Sequence, residues 1–195
     1  MSKAMRGSVV GIVSGGLLSV ISASAVAQTP RPSAQLAIEA AHRDAVFIAK
    51  DDFVRAIDAR ARGSSTALSS LGAVRAGDDR INVDVIQRRG TGAEGPVSHR
   101  VVTEIYYVLD GGGDIETGGE IPDAKPLTTA NGEPVNPANI GPSIRGEQIV
   151  GGTARHITKG DVVMIPPNVP HRFKSLDGSI TYMVVRMNPG YEKGR

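Results

Sequence analysis

Along this 195-residue chain the hydrophobic and polar positions change rhythm near Arg62. Before it, apolar residues fall three and four apart, as on one face of a helix. Residues 35–43 read as a first helix with Ser33 as its N-cap, and residues 46–49 as a short strand. Asp51 is placed to cap a second helix over 52–62, with Phe53, Ile57 and Val54 on its buried face, ended by Gly63-Ser64-Ser65. After Arg62 the pattern is that of strands and turns. Residues 71–76 and 80–89 flank a hairpin turn at Gly77-Asp78-Asp79. Ile81, Val83 and Val85 alternate with Asn82, Asp84 and Ile86, so one face of that strand is buried. Residues 90–96 form a loop. Residues 103–109 form a strong strand, with Glu104, Tyr106 and Val108 on one face and Ile105, Tyr107 and Leu109 on the other. Gly111-Gly112-Gly113 is expected to stop it and residues 114–117 to return as its hairpin partner.

Residues 118–152 break the rhythm with closely spaced proline and Asn-Gly turn signals. A loop of that length is functional or a plain surface insert. It reads as an excursion over one mouth of the fold, with a short strand near 147–150. Residues 154–158 re-enter the sheet. A Gly160-Asp161 turn then leads into Val162-Val163-Met164-Ile165, a run too short for a helix and expected to be a buried strand. Pro166 and Pro167 end that strand because proline cannot donate to a ladder. Asn168 tolerates the left-handed backbone of a sharp turn, and His171 opens the next strand with Val169 and Phe173 on its face. Residues 172–176, a turn at Asp177-Gly178, and a last strand over 180–187 complete the pattern. There is no internal repeat. Many short strands point to a barrel or sandwich.

Composition changes this picture at the N-terminus. Lys3 and Arg6, an apolar stretch over 9–20 and Ala25-Val26-Ala27 before Gln28 have the layout of a secretory signal peptide. The apolar stretch is short and broken by glycine, against the roughly 20 residues of a membrane span. The expected address is periplasmic or secreted, with no stable membrane insertion after cleavage. Losing Lys3 and Arg6 takes the formal charge from +2 to 0, so the charge gives no argument for nucleic acid as a partner. The chain has no cysteine, which excludes disulfides and thiolate chemistry. Any metal must be held by histidine and oxygen.

The four histidines are His42, His99, His156 and His171. His99 lies five residues before Glu104, and Glu104 faces the inside of its strand. A lone carboxylate there is costly unless paired or metal-bound. His171 arrives after a rigid turn on a facing strand. Two imidazoles and one carboxylate converging in a barrel make a site for a divalent ion with open positions. His156, on the strand before the Gly160 turn, is a lesser candidate ligand, and His42 reads as a surface residue. Tyr106 and Tyr182 are candidate acid–base groups if they face the cavity. Arg100, Arg145, Arg155, Arg172 and Arg186 are candidates for a carboxylate clamp, each by default an exposed strand residue.

Two stretches resemble the paired signatures of the cupin superfamily. In the second signature Gly160, Pro166 and His171 match at the family's spacing, while Asn168 stands in place of a glycine and Ser175 in place of a closing asparagine. In the first, His99, Glu104 and Gly111 match, but Val97 stands where the family has another histidine, and the opening glycine falls on Thr91, next to Gly92. The resemblance covers roughly residues 70–187. It implies a mainly β protein, a cupin-type antiparallel β-barrel or jelly roll with short N-terminal helices. Its parts would be a signal peptide (1–27), a leader with helices (28–66), the barrel (67–190) with its excursion (118–152), and a short tail (191–195). By position it implies His99, Glu104 and His171 as ligands of one divalent transition metal (Fe, Mn, Zn, Ni or Cu), three where the family has four. The implied function is a metal-dependent enzyme acting on a small oxygen-rich or carboxylated molecule. Oxygenase, isomerase and lyase chemistry stay open. The alternative is a non-catalytic module that binds or senses a small molecule or the metal itself. The apolar outer face of the strands makes a homodimer the expected assembly.

Overall fold

The computed structural model of the chain describes residues 45–60, 66–90 and 94–191. The expected signal peptide and the 35–43 helix lie outside these residues. Residues 46–49 are not a strand; Val46 and Ile48 pack over Gly72, where a Cβ would meet both side chains at 3.5 Å. Helix α1 runs Lys50–Arg60, starting before the expected cap. Asp52, not Asp51, receives the Ala49 N–H on its carboxylate at 3.1 Å. Phe53 and Ile57 are half-buried, whereas Val54 is exposed.

Strands β1 (Thr66–Ala76) and β2 (Asp79–Arg89) form the expected antiparallel hairpin. The buried face of β2 is largely its polar one. Asn82 and Asp84 are fully buried with Ile86, while Ile81 and Val83 are only half-buried. That inversion is affordable only because polar partners wait inside.

The frame of the fold is a pair of long bent strands, β4 (Thr103–Thr117) and β9 (His171–Asn188), antiparallel along their whole length from Thr103↔Met187 to Thr117↔His171. Both expected turns are corrections. Residues 114–117 continue β4 past Gly111–Gly113, and β9 runs straight through Asp177-Gly178. The two glycine sites face each other, with Gly111 opposite Ile180 and Gly113 opposite Leu176, and the register slips between Gly111 and Gly113. They mark a shared corner at which the ribbon passes from one sheet to the other. Gly112 allows the close approach there, since a Cβ would sit 2.8 Å from the Ile157 carbonyl oxygen.

On one side of the corner the order is β1-β2-β9-β4-β8, with β8 spanning Val162–Ile165. On the other, β7 (Thr153–Thr158) pairs with β4, and β9 pairs with β3 (Val97–His99). Strand β3 pairs in turn with β6 (Ser143–Arg145), and β6 with β5 (Lys125–Pro126). The β8 run is not uniformly buried: Ile165 is inside, while Val162 and Met164 are exposed on the outer face of a strand that, among the described residues, is bonded only to β4. The core between the sheets holds Ile86, Tyr106, Ile115, Phe173, Tyr182 and Val184 among others.

The 118–152 excursion is a structured part of the barrel. A bridge between Glu120 and Val150 closes its base, β5 and β6 join it to the sheet, and a short helix, α2 (Pro137–Ile140), lies between them. Its strand falls at Ser143–Arg145 and not at 147–150. That register is what sets Ser143 directly opposite His99.

Candidate metal centre

His99, Glu104 and His171 meet inside the barrel, each at most 6% exposed, with one potential ligand atom apiece all within 4.8 Å of one another. Different elements deliver them. Glu104 sits on the inward face of β4, one step from Tyr106. His99 ends β3, where the Ser143 register holds it. His171 opens β9 after the Pro166–Pro170 turn, in which Asn168 adopts φ 63° and bonds its N–H to the His99 carbonyl at 2.8 Å. The turn that presents one histidine is thus tied to the strand that presents the other.

The hydrogen bonds decide which ring nitrogens face inward. His171 Nδ1 lies 3.0 Å from the Val169 carbonyl, which can only accept, so Nδ1 carries the hydrogen. His99 Nδ1 lies 2.7 Å from Ser143 Oγ. The Ser143 hydroxyl donates to the Ile140 or Gly141 carbonyl, at 3.0 and 3.1 Å, and so accepts from His99 Nδ1–H. Both rings therefore turn Nε2 toward Glu104 Oε2, at 3.0 Å from His171 and 3.6 Å from His99. Backing of Nδ1 by a carbonyl or hydroxyl is the usual support of a metal-ligating histidine. Ligand atoms bound at about 2.0–2.1 Å around one ion stand roughly 3.0–3.4 Å apart; the His171–Glu104 spacing of 3.0 Å lies in that range and the His99–Glu104 spacing of 3.6 Å just above it.

Glu104 has further partners. Tyr106 donates its hydroxyl to Oε2 at 2.9 Å, and Arg186 Nε donates to Oε1 at 2.6 Å. Arg186 also pairs through Nη1 with Asp84 Oδ2. Burial by itself would raise the Glu104 carboxyl, but in the metal-free centre a proton shared with His171 Nε2, and the Arg186 charge, outweigh it and hold the group below the usual carboxylate range. Burial pushes Tyr106 well above its ordinary value, so it stays a phenol and acts as a donor. Burial also pushes His99 down to about 4.

The His99 shift predicts an acid-labile metal-free protein. Between the ordinary histidine value of 6.5 and about 4, the unfolded chain holds a proton that folded His99 refuses. Stability is therefore full above that window and falls as pH drops through it, by about 2–3 kcal/mol near pH 4.5. Denaturant titration of chelator-treated protein at pH 7 and pH 4.5 checks this, and the His99→Gln variant should show a flatter dependence.

A cavity of about 810 Å³ opens over the three residues. Tyr106 and Val97 line it, and Val97 pairs with His171 across the strands where a fourth ligand would stand. Tyr182 is fully buried behind Tyr106, at 4.6 Å between ring centres, and accepts a hydrogen bond from Arg88 Nε at 3.0 Å. His156 lies outside, bonded to Asp114 at 2.9 Å and Asp177 at 3.2 Å, away from the cluster. His42 lies outside the described residues. Of the five arginines, Arg186 is buried in the centre, Arg145 and Arg172 line the cavity, and Arg100 and Arg155 are exposed. Sequence reasoning missed Ser143, Asp84 and Arg88. The signal for Asp84 and Arg88 was their parity with Ile86 on β2; for Ser143 there was none, because only strand pairing brings the excursion to His99.

A family described as the AraC-like ligand binding domain matches residues 141–191, the span from β6 through His171 to the end of β9. No curated protein sequence is detectably similar to the chain. Solved structures with a similar fold include the capsular polysaccharide assembling protein CapF from Staphylococcus aureus (16% identity, TM-score 0.42, covering 65% of this chain and 29% of that one). Others are a cupin 2 conserved barrel domain protein from Rhodopseudomonas palustris (14%, 0.40, 63% and 60%) and the DMSP lyase DddQ from Ruegeria pomeroyi (17%, 0.40, 67% and 54%). The chain spans less than two thirds of each of those three chains. With the His99–Glu104–Gly111 and Gly160–Pro166–His171 signatures seated on facing strands of an antiparallel double sheet, and the AraC-like ligand binding domain family matching the stretch that holds the second of them, this chain has a cupin-type fold.

Proposed function

We propose that this protein is an exported, metal-binding cupin whose ion serves chemistry on a small, carboxylated or otherwise oxygen-rich molecule. One observation carries the metal: His171 Nε2 and Glu104 Oε2 stand 3.0 Å apart, with His99 Nε2 aimed at the same oxygen. Lone pairs do not face one another at that distance unless a cation, a proton or a metal ion, lies between them. Two imidazoles and a carboxylate suit a divalent transition metal. When bound, the ion would supply Lewis acidity at its open positions.

The chain's own residues do the rest. Tyr106 holds a proton at the carboxylate oxygen that would bind the ion, and it lines the cavity as a donor. Val97 leaves its side of the centre apolar and without a fourth ligand. Along the same strand row lie Arg145, paired with Val97, and Lys125, paired with Arg145, both lining the cavity. A substrate with an anionic end is held there while its other end reaches the metal.

Elemental analysis of the protein purified without added metal, beside His171→Ala, tests the reading. The expected result is near one equivalent of a transition metal in the parent and less than a tenth of that in the variant. No metal in the parent, and none taken up on dialysis against the divalent ions, overturns it. A second reading is favoured by the Arg186–Glu104 ion pair, which already neutralises the carboxylate: a metal-free barrel that binds a small molecule as a sensor. That reading requires a stability that chelators leave unchanged.

A further inference from the structure

The two oxygens of Glu104 have separate duties. Oε2 faces both histidines and Tyr106, whereas Oε1 faces Arg186 Nε at 2.6 Å. Arg186 is held on its far side by Asp84, and Asn82 Nδ2 donates to the same Asp84 oxygen at 2.8 Å. The sheet register produces this arrangement. Asn82, Arg186 and Glu104 are directly paired across β2, β9 and β4, and Asp84 lies one inward position along β2. None of the four is more than 4% exposed. Neither Asp84 nor Asn82 lines the cavity, so they reach the centre only through the arginine.

Resting on the metal-centre reading above, we propose that the Asp84–Arg186 pair is a positioning device that makes Glu104 a one-oxygen ligand. A carboxylate can bind an ion through one oxygen or both. With Oε1 committed to a guanidinium anchored at its other end, only Oε2 is offered. The ion then keeps positions open toward the cavity that a two-oxygen carboxylate would fill. Lysine cannot take over: it is a point donor on a flexible stem and does not bridge two carboxylates in a fixed plane.

Cobalt(II) binding reports on this directly, because its visible d–d bands are strong in four-coordinate sites and weak in six-coordinate ones. The chelator-treated parent, Arg186→Lys and Asp84→Asn are titrated with cobalt(II) alone, with folding followed by circular dichroism. The parent is expected to give strong bands. Both variants should bind at least tenfold more weakly, the usual cost of losing a residue that orients a ligand, and show bands several-fold weaker at saturation. A purely structural role would lower stability without changing the spectrum of the folded, saturated protein. Should Arg186→Lys fail to fold, Asp84→Asn, nearly the same in shape and one step further from the ion, decides. Parent-like affinity and spectrum in the folded variants overturn the positioning role alone. Failure of the parent to bind cobalt(II) overturns the metal centre and the positioning role together.

Discussion

Arg186→Met should be among the most damaging single substitutions in the barrel, with a loss of about 3–5 kcal/mol in the metal-free protein. Arg186 is 4% exposed and lies between Glu104 and Asp84, which are 1% and 0% exposed. Methionine fills much of the same space, so the loss is electrostatic rather than a cavity. Two buried carboxylates would be left to share no cation, and one or both must take a proton. Asp84 is already raised by burial, with Arg186 the main opposing influence. Pairing the change with Asp84→Asn removes one of the stranded charges and should recover about 1–2 kcal/mol, a coupling that a double-mutant cycle in urea reads directly. A single-variant loss under about 1 kcal/mol would place the pair with exposed ion pairs and contradict its burial. Saturating divalent metal should widen the loss, by about 1.4 kcal/mol for each tenfold by which the variant binds the ion more weakly.

Gly111→Ala should cost about 3–4 kcal/mol. Gly111 has φ +72°, and a Cβ there would run into the Ser179 carbonyl on the facing half of the bent ribbon. The obstacle is backbone, so no rotamer change relieves it; the β4–β9 corner has to open. Gly118→Ala is the matched control. It has φ +80° with nothing within 4 Å of a Cβ, so it carries only the left-handed backbone cost of about 1 kcal/mol. Thermal or urea denaturation of the two variants separates close approach from conformation. Equal losses would mean that the corner yields freely.

The corner also shows how local signals mislead. Gly111–Gly113 and Asp177-Gly178 look like hairpin turns because glycine and Asp-Gly favour tight reversals. Neither reverses the chain. Each lets a strand bend, and they serve as bends because they face each other across a ladder that runs on either side of them. Nothing local distinguishes a bend from a turn. The distinction lies in which distant residues complete the hydrogen bonds. Likewise the β2 alternation announced a two-faced strand but not which face turns inward. The interior took Asn82 and Asp84 because Arg186 waits there.

By itself, the sequence determined the β character of the barrel, the sharp turn before His171, and the spacing that sets Glu104 on one face with Tyr106 and Val108. These follow from short-range physics: period-two alternation, proline's missing donor, and the left-handed backbone of Asn168. Only the tertiary structure decided that His99 is oriented by Ser143 from the far end of the excursion, that Tyr182 lies behind Tyr106, and that Arg186 claims one oxygen of Glu104. Each of those contacts joins residues tens of positions apart, and strand register, a property of the assembled sheet, brings them together.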